Sequence, residues 1–231
     1  LCVRLFEFVL RPSLRHPYTP YIADTYHERG MYFARNGYIF LGIDVRGRGN
    51  SQGAFEPFVN EGRDGHDIVE WLAQQPWSNG KVAMWGGSYA GFDQWSVLKE
   101  FPPPLATIVP AAAAHPGVDF PFTSNIFTSY IIQWLTYTSG LTPNVKLFGE
   151  ASYWLDKFSE LYAKHLPFRE LDSLVGNPSA VFQKWLSHPV PDAYYDAMAP
   201  RDEDYTRINF PILTITGHYD GDQPGAMEYY K

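Results

Sequence analysis

Four apolar runs along the chain predict the strands of one sheet. Residues 38–45 form a continuous apolar run, which is typical of a strand buried on both faces of a parallel sheet. Residues 81–85, 105–112 and 208–216 are also short and apolar, and we predict them as further strands. Residues 1–10 are mostly apolar, and this pattern leaves a strand and a short helix open.

Helical patterns alternate with these runs. Residues 26–36 have a helix-like pattern that ends at Asn36-Gly37, and the Pro- and Tyr-rich residues 17–26 are predicted as a loop. Residues 64–74 are amphipathic, and another helix is predicted from Ser88 to about residue 99. Because strand and helix alternate through short connections, the pattern predicts a doubly wound α/β sheet.

The alternation stops after the third of these runs. Residues 117–199 are aromatic-rich, with helical patterns near residues 125–138, 150–165 and 178–187 and no clear strand. We therefore predict a helical cap inserted into an α/β core. The predicted division is a first core part (1–116), the cap (117–199) and a continued core (200–231).

Composition narrows the class of protein. A hydrophobic content of 45% with 19% charged residues favours a globular chain over a disordered one. The formal net charge of −7 and the absence of a basic block argue against nucleic-acid binding. Aromatic residues make up 17% of the chain, which suits both a core and an apolar substrate pocket. No run is long enough to span a membrane, so no membrane partner is expected.

The two ends of the sequence predict a fragment of a longer protein. The chain opens with Leu rather than Met, and Lys231 falls in the first turns of a helix predicted from residue 223. Cys2 is the single cysteine, which excludes a disulfide within the chain and leaves the compartment, cytoplasmic or exported, undecided.

The turn after the second predicted strand, residues 81–85, carries the main candidate for catalysis. Gly86-Gly87-Ser88-Tyr89-Ala90-Gly91 joins a buried strand to a helix through small residues on both sides of Ser88. A nucleophile elbow has this pattern, because strand and helix must pack closely around a strained turn that exposes the serine. An ordinary βα turn with Ser88 as the helix N-cap is the alternative.

An acidic residue stands at a matching position on a later strand. Ligands bind at the carboxyl ends of the strands in an open parallel sheet. Asp220 lies in the loop after residues 208–216, so it is predicted to reach the same edge as Ser88. A serine followed by an acid on a later strand is the chain order of an α/β-hydrolase triad.

Two motifs connect the chain with a known family: Asp44-Val45-Arg46-Gly47-Arg48-Gly49 and Gly87-Ser88-Tyr89 with Gly91-Phe92. With segments 38–53, 60–72, 75–81, 86–94 and 214–225, they resemble the cocaine-esterase-like hydrolases. Those enzymes belong with X-Pro dipeptidyl peptidases, α-amino-acid ester hydrolases and glutaryl acylases. The resemblance covers most of residues 17–231 and implies an α/β-hydrolase fold.

The resemblance also implies roles for individual residues. Ser88 would be the nucleophile and Asp220 the triad acid. The N–H of Tyr89 would be one oxyanion donor, and the hydroxyl of Tyr21, in Thr19-Pro20-Tyr21, would be the other. The alternative for Tyr21 is a plain turn tyrosine.

The triad histidine is expected beyond Lys231, where the resemblance places it. The seven histidines present are expected to be structural or exposed. His218 is too near Asp220 along one loop to form a relay with it, and His66 with Asp64 and Asp67 lacks a complete metal-ligand set. No metal and no cofactor are therefore predicted.

Charged residues near the predicted pocket leave alternatives open. Arg46 and Arg48 are expected to hold their loop through carboxylates such as Asp64 or Asp67, with anion binding as the alternative. Amino-ester hydrolases of this group hold a substrate ammonium with a cluster of carboxylates. Asp222 matches one of these positions, while Gln223 stands at the second and the third falls near Asn125.

These inferences converge on a serine hydrolase of a small ester, amide or peptide substrate. Phe122 and Trp134 are candidates for lining the acyl pocket, with cap packing as the alternative, and Asp222 is a candidate for substrate binding. A non-catalytic module with the same fold is the competing hypothesis, and dinucleotide binding at Gly47-x-Gly49 is a weaker one. Homo-oligomerisation is left open.

Overall fold

The computed structural model describes residues 4–9 and 20–231, with side chains from Glu28 onward. All three apolar runs before residue 117 form strands, as predicted. The ambiguous first segment is also a strand, and it lies at the centre of the sheet, paired on both sides. The four parallel strands are β1 (Arg4–Val9), β2 (Phe40–Asp44), β3 (Val82–Gly87) and β4 (Leu105–Ala111), in the order β2-β1-β3-β4.

A fifth segment continues the sheet beyond β4. Ile212 pairs with Ile108 and Ile215 with Ala111, both in parallel, so the predicted strand 208–216 forms two isolated bridges instead of a regular strand. The Ile215 N–H donates to Pro110 O at 3.0 Å, and Ala112 N–H donates to Ile215 O at 2.7 Å. Between the two bridges a regular ladder needs an N–H from residue 110, and proline has none. Pro110 therefore interrupts the ladder without ending the pairing.

Three helices accompany the sheet: α1 (Pro20–Arg35), α2 (Glu61–Ala73) and α3 (Tyr89–Lys99). The prediction of a loop over residues 17–26 is wrong from Pro20 onward, where α1 begins. Proline suits the first turn of a helix because its missing N–H would have no partner there. Helix α3 follows Ser88 as predicted, and α2 begins three residues before its predicted start.

The chain after β4 is mostly helical, with one short hairpin. The predicted helical stretches are confirmed by helices at residues 130–137, 151–163 and 180–186, but the absence of strands was a wrong prediction. Strands β5 (Phe122–Thr123) and β6 (Ile126–Phe127) pair through Ser124 and Asn125, whose φ values of 52° and 63° suit a two-residue hairpin. Two paired residues a side are too few to show alternation in the sequence. The helices are α4 (Tyr130–Tyr137), α5 (Val145–Phe148), α6 (Ala151–Ala163), α7 (Leu171–Leu174), α8 (Ala180–Leu186), α9 (Ala193–Asp196), α10 (Asp202–Tyr205) and α11 (Gln223–Glu228).

A buried aromatic cluster joins the sheet-side helices to the helical segment after β4. Phe58 lies at its centre, with ring centroids 4.7 Å from Phe92, 4.9 Å from Tyr89 and 5.1 Å from Phe120. Trp134 packs 5.4 Å from Phe120. Such large apolar rings contribute much of the burial that stabilises a core. The division into core and cap domains remains a prediction.

Within the described residues, no helix has both the length and the apolar character needed to cross a bilayer.

Helices α2 and α3 approach each other closely at Gly62. A Cβ on Gly62 would lie 2.7 Å from Ser96 O, a backbone atom that cannot move without shifting α3. Gly62→Ala should therefore lower the free energy of unfolding by about 1–3 kcal/mol, as overpacking does, although alanine favours helices. Urea unfolding of the purified protein measures this.

Gly149→Ala is the matched control. Gly149 has φ −82°, and its Cβ would meet nothing closer than Val145 O at 3.7 Å. Alanine should be neutral or slightly stabilising there. Equal stabilities for the two variants would contradict the close packing of α2 on α3.

Candidate active site

Ser88 occupies a strained turn between β3 and α3. Its backbone angles are φ 58° and ψ −122°, a conformation that costs a non-glycine residue free energy and persists only where the surroundings enforce it. The side chain is exposed to solvent. These are the two features that a nucleophile elbow requires, so the geometry favours the elbow over an ordinary capped turn.

Packing against the end of β4 enforces this turn. The Ser88 N–H donates to Ala111 O at 2.9 Å. A Cβ on Gly91 would lie 2.8 Å from Ala113 Cα, and one on Gly87 would lie 3.3 Å from Ala111 O. The small residues around Ser88 are therefore required by the approach of α3 to β4.

The start of α3 offers hydrogen-bond donors beside Ser88. The N–H groups of Gly91 and Phe92 donate to Ser88 O, at 2.8 Å and 3.0 Å. Tyr89 and Ala90 lie in the first turn, where an N–H has no partner within the helix. The Tyr89 N–H thus has the position expected of an oxyanion donor. The second expected donor, the Tyr21 hydroxyl, lies outside the described side chains.

Gln94 holds the elbow from behind, a role that sequence reasoning missed. Its amide nitrogen donates to Gly86 O at 3.1 Å and to Ala90 O at 2.8 Å, and its oxygen accepts the Val109 N–H at 2.8 Å. One buried side chain therefore connects α3 with β3 and β4. A glutamine within the helix that follows the Gly-rich turn was the available signal.

The loop after the fifth segment brings a carboxylate to Ser88, but it is that of Asp222. The Ser88 hydroxyl lies 3.5 Å from Asp222 Oδ2. Asp220 is exposed, and its Oδ1 accepts the Asp222 N–H at 2.9 Å. The structure therefore places both acids on one loop beside the elbow, and the triad role of Asp220 remains a prediction.

Asp119 is a third carboxylate of this group. It is buried and accepts the N–H groups of His115 at 2.8 Å and Gly225 at 2.5 Å. Burial is the main cause that raises the pKa of Asp119 to about 6, and the charge of Asp220 adds to it. Resemblance had placed a third acidic position near Asn125, but that residue stands in the hairpin turn.

Asp222 is the carboxyl group most affected by this crowding. Burial, together with the charges of Asp119 and Asp220, raises its pKa to about 7, while the hydrogen bond from Ser88 opposes the shift. Because these three carboxyl groups lie close together and two of them have little contact with solvent, the site favours a cationic ligand over an anionic one.

The described histidines have structural surroundings or lie in solvent. The ring of His115 lies 4.4 Å from that of Tyr229, its Nδ1 is 3.0 Å from Pro116 O, and burial lowers its pKa. His218 is exposed. Neither hydrogen-bonds Ser88 or Asp220 in the described part of the chain.

The two arginines after β2 are structural. Arg46 forms a bidentate ion pair with Asp64, as predicted, and its Nε lies 2.8 Å from Asp64 Oδ2. Arg48 is buried and donates through Nη1 to the carbonyl oxygens of Thr138 and Gly140 instead of a carboxylate. Its position links the loop after β2 to the end of α4.

The predicted pocket aromatics lie in the core. Phe122 is 1% exposed and Trp134 is 6% exposed. Phe122 packs edge-on against Tyr195 with centroids 5.3 Å apart, and Trp134 lies 5.4 Å from Tyr89. This burial supports the packing alternative, and contact with an acyl group remains a prediction.

Comparisons with known proteins place this chain among relatives of known family and fold. The family model described as X-Pro dipeptidyl-peptidase (S15 family) matches residues 13–231. Cocaine esterase of Rhodococcus sp. (strain MB1 Bresler) is 33% identical over 104 residues, which make up 44% of this chain and 18% of that protein.

Two solved structures show the same fold. An α-amino acid ester hydrolase matches with a TM-score of 0.61 and 21% identity, over 99% of this chain and 41% of that chain. An aminopeptidase from the marine sediment archaeon Thaumarchaeota archaeon matches with a TM-score of 0.67 and 19% identity, over 99% and 41%. They confirm the predicted α/β-hydrolase fold, and this chain spans about two fifths of each of these proteins.

The raised pKa of Asp222 predicts a pH-dependent stability. The unfolded chain releases this proton near pH 4, as an ordinary aspartate does at about 3.9, whereas the folded protein keeps it up to about pH 7. Stability should therefore fall as pH rises from about 4 to about 7. Asp222→Asn removes this loss and should raise the free energy of unfolding at pH 8 by about 1–3 kcal/mol, with little effect at pH 4.5.

Urea unfolding at pH 4.5, 6 and 8 tests this. Asp196→Asn, at an exposed aspartate in α9, is the control and should follow the wild-type curve. A pH profile of Asp222→Asn parallel to that of the wild type would contradict the burial of a proton at Asp222.

Proposed function

This chain belongs to the X-Pro dipeptidyl-peptidase (S15) family, and we propose that it carries the nucleophile of a serine hydrolase that cleaves an ester or amide bond. The observation that supports this most is the exposed Ser88 in its strained turn, next to the free donors at the start of α3. Fold alone would not distinguish among the activities that this architecture hosts.

The proposed reaction is acyl transfer to water. Ser88 Oγ attacks the acyl carbonyl and forms a C–O bond, and its proton passes to a histidine that we place beyond Lys231. The tetrahedral intermediate collapses as that histidine returns the proton to the departing alcohol or amine. Water then attacks the acyl-enzyme by the same route and releases the acid.

The remaining roles follow the positions of the groups. Asp220 orients the histidine, and the Tyr89 N–H with the Tyr21 hydroxyl stabilises the oxyanion. Asp222 lies 3.5 Å from the Ser88 hydroxyl and has Asp119 behind it, so it suits a substrate with an amine close to the acyl group. Gln223 stands at a position where amino-ester hydrolases have an acid, which weakens strict selection for such an amine.

Ser88→Ala in the intact enzyme should lower kcat on a chromogenic acyl ester by about a thousandfold or more. A phosphonate probe that reacts with activated serines should label the wild type at Ser88, located by peptide mapping, and should leave the variant unlabelled.

Ser152→Ala is the matched control, since Ser152 is an exposed serine on α6. It should keep both activity and labelling. Full ester hydrolysis by Ser88→Ala would refute the proposal, and an intact protein that neither hydrolyses esters nor reacts with the probe would favour the non-catalytic module.

A further inference from the structure

Tyr89 belongs to both the elbow and the buried core. Its backbone N–H stands at the elbow beside Ser88, while its side chain is 6% exposed and points into the core. The ring packs on Phe58 at 4.9 Å and on Trp134 at 5.4 Å. Because the packed ring has little freedom to rotate about its bonds to the backbone, contacts that hold the ring also restrain the N–H.

Polar contacts fix the Tyr89 hydroxyl on two sides. It donates to Glu61 Oε1, at the first residue of α2, and it accepts the Phe58 N–H at 3.4 Å. Phe58 itself has a φ of 71°, so its N–H reaches the hydroxyl from a left-handed turn. The first residue of α3 is thus tied to the start of α2 through a buried hydrogen bond.

Asp93 completes this buried group from the next turn of α3. It is 0% exposed, and neither of its carboxyl oxygens has a hydrogen-bond donor among the described residues. Glu61 Oε2 also lacks a donor there. A fully buried carboxylate without donors is very costly, so a proton on Asp93 is the form that this site accommodates.

We propose that Glu61 and Asp93 are positioning residues for the Tyr89 N–H: Glu61 holds the Tyr89 hydroxyl, and Asp93 stays a neutral acid beside it. This inference rests on the proposed acyl-transfer function, in which that N–H is an oxyanion donor. It adds two carboxyl groups that act on catalysis from behind the elbow and touch no substrate.

The pKa shifts of the two acids follow from the same arrangement. Burial raises the pKa of Glu61 to about 7, and burial together with the Glu61 charge raises the pKa of Asp93 well above its ordinary value. Raising the pH must therefore place two negative charges in one dry site. The other charged or titratable groups that act on these three residues are Asp64 of α2, Arg46 and Arg48 after β2, and Tyr229 at the end of α11.

Kinetics of the intact enzyme test the proposal, after the phosphonate probe has shown that the wild type reacts at Ser88. Tyr89→Phe and Glu61→Gln should each lower kcat about tenfold or more with KM changed less than about twofold, because an oxyanion donor acts in the transition state. Tyr153→Phe is the matched control. Tyr153 lies on α6, away from the elbow, and its hydroxyl donates to Val175 O at 2.9 Å, so kcat should not change.

Asp93→Asn tests whether Asp93 acts as a neutral acid or as a charged carboxylate. The wild type should lose kcat at alkaline pH, as Asp93 ionises. Asparagine keeps the shape without ionising, so in Asp93→Asn this loss should move to higher pH. A merely structural role would shift the urea midpoint and leave both the kcat-to-KM pattern and the pH profile unchanged.

The outcomes distinguish the two proposals. A wild type that is unreactive at Ser88 refutes the hydrolase itself. A reactive wild type overturns only the positioning role if Glu61→Gln keeps its kcat, or if kcat of Asp93→Asn falls at the same alkaline pH as kcat of the wild type. Should Tyr89→Phe fail to fold, the Glu61 and Asp93 variants still decide.

Discussion

The close approach of α3 to the end of β4 is the constraint on which the candidate site depends. Gly91 can lie against Ala113 only because neither residue carries a large side chain, and that contact places Ser88 N–H on Ala111 O. The chain can leave β3 and enter α3 within one residue only through the left-handed conformation of Ser88. Exposure of the hydroxyl and the free N–H groups of α3 both follow from this turn.

Buried carboxyl groups lie on both sides of the elbow and have different surroundings. In front, Asp119 receives two backbone N–H groups, so its burial is partly compensated by hydrogen bonds. Behind the elbow, Asp93 accepts no hydrogen bond from the described residues, so protonation must offset the cost of its burial. The first arrangement suits recognition of a cation, whereas the second suits a rigid support that stays neutral.

Much of the fold was readable from the sequence because parallel strands buried on both faces leave continuous apolar runs, as at residues 38–45. The elbow was readable because its steric demand selects small residues around Ser88. Long-range contacts left no such pattern. Nothing local marks Arg48 as a donor to Thr138 O and Gly140 O, or Asp119 as an acceptor for Gly225, since each pair is far apart in the chain. Gln94 carried only a weak signal, as a polar residue in the helix that follows the Gly-rich turn.

The positions of Asp220 and Asp222 illustrate why spacing cannot assign roles within a loop. The pairing of Ile215 with Ala111 delivers the loop to the edge of the sheet where Ser88 stands, and the bond from Gly225 N–H to Asp119 fixes its far end. Between these anchors, Asp220 accepts the Asp222 N–H, so the two carboxyl groups are held by one turn and must face different partners. One is exposed, where a histidine could approach it, and the other reaches the Ser88 hydroxyl. The anchors thus decide which acid lies at the Ser88 hydroxyl, and the residues that form them, Ala111 with Ile215 and Asp119 with Gly225, are outside the motif around Ser88.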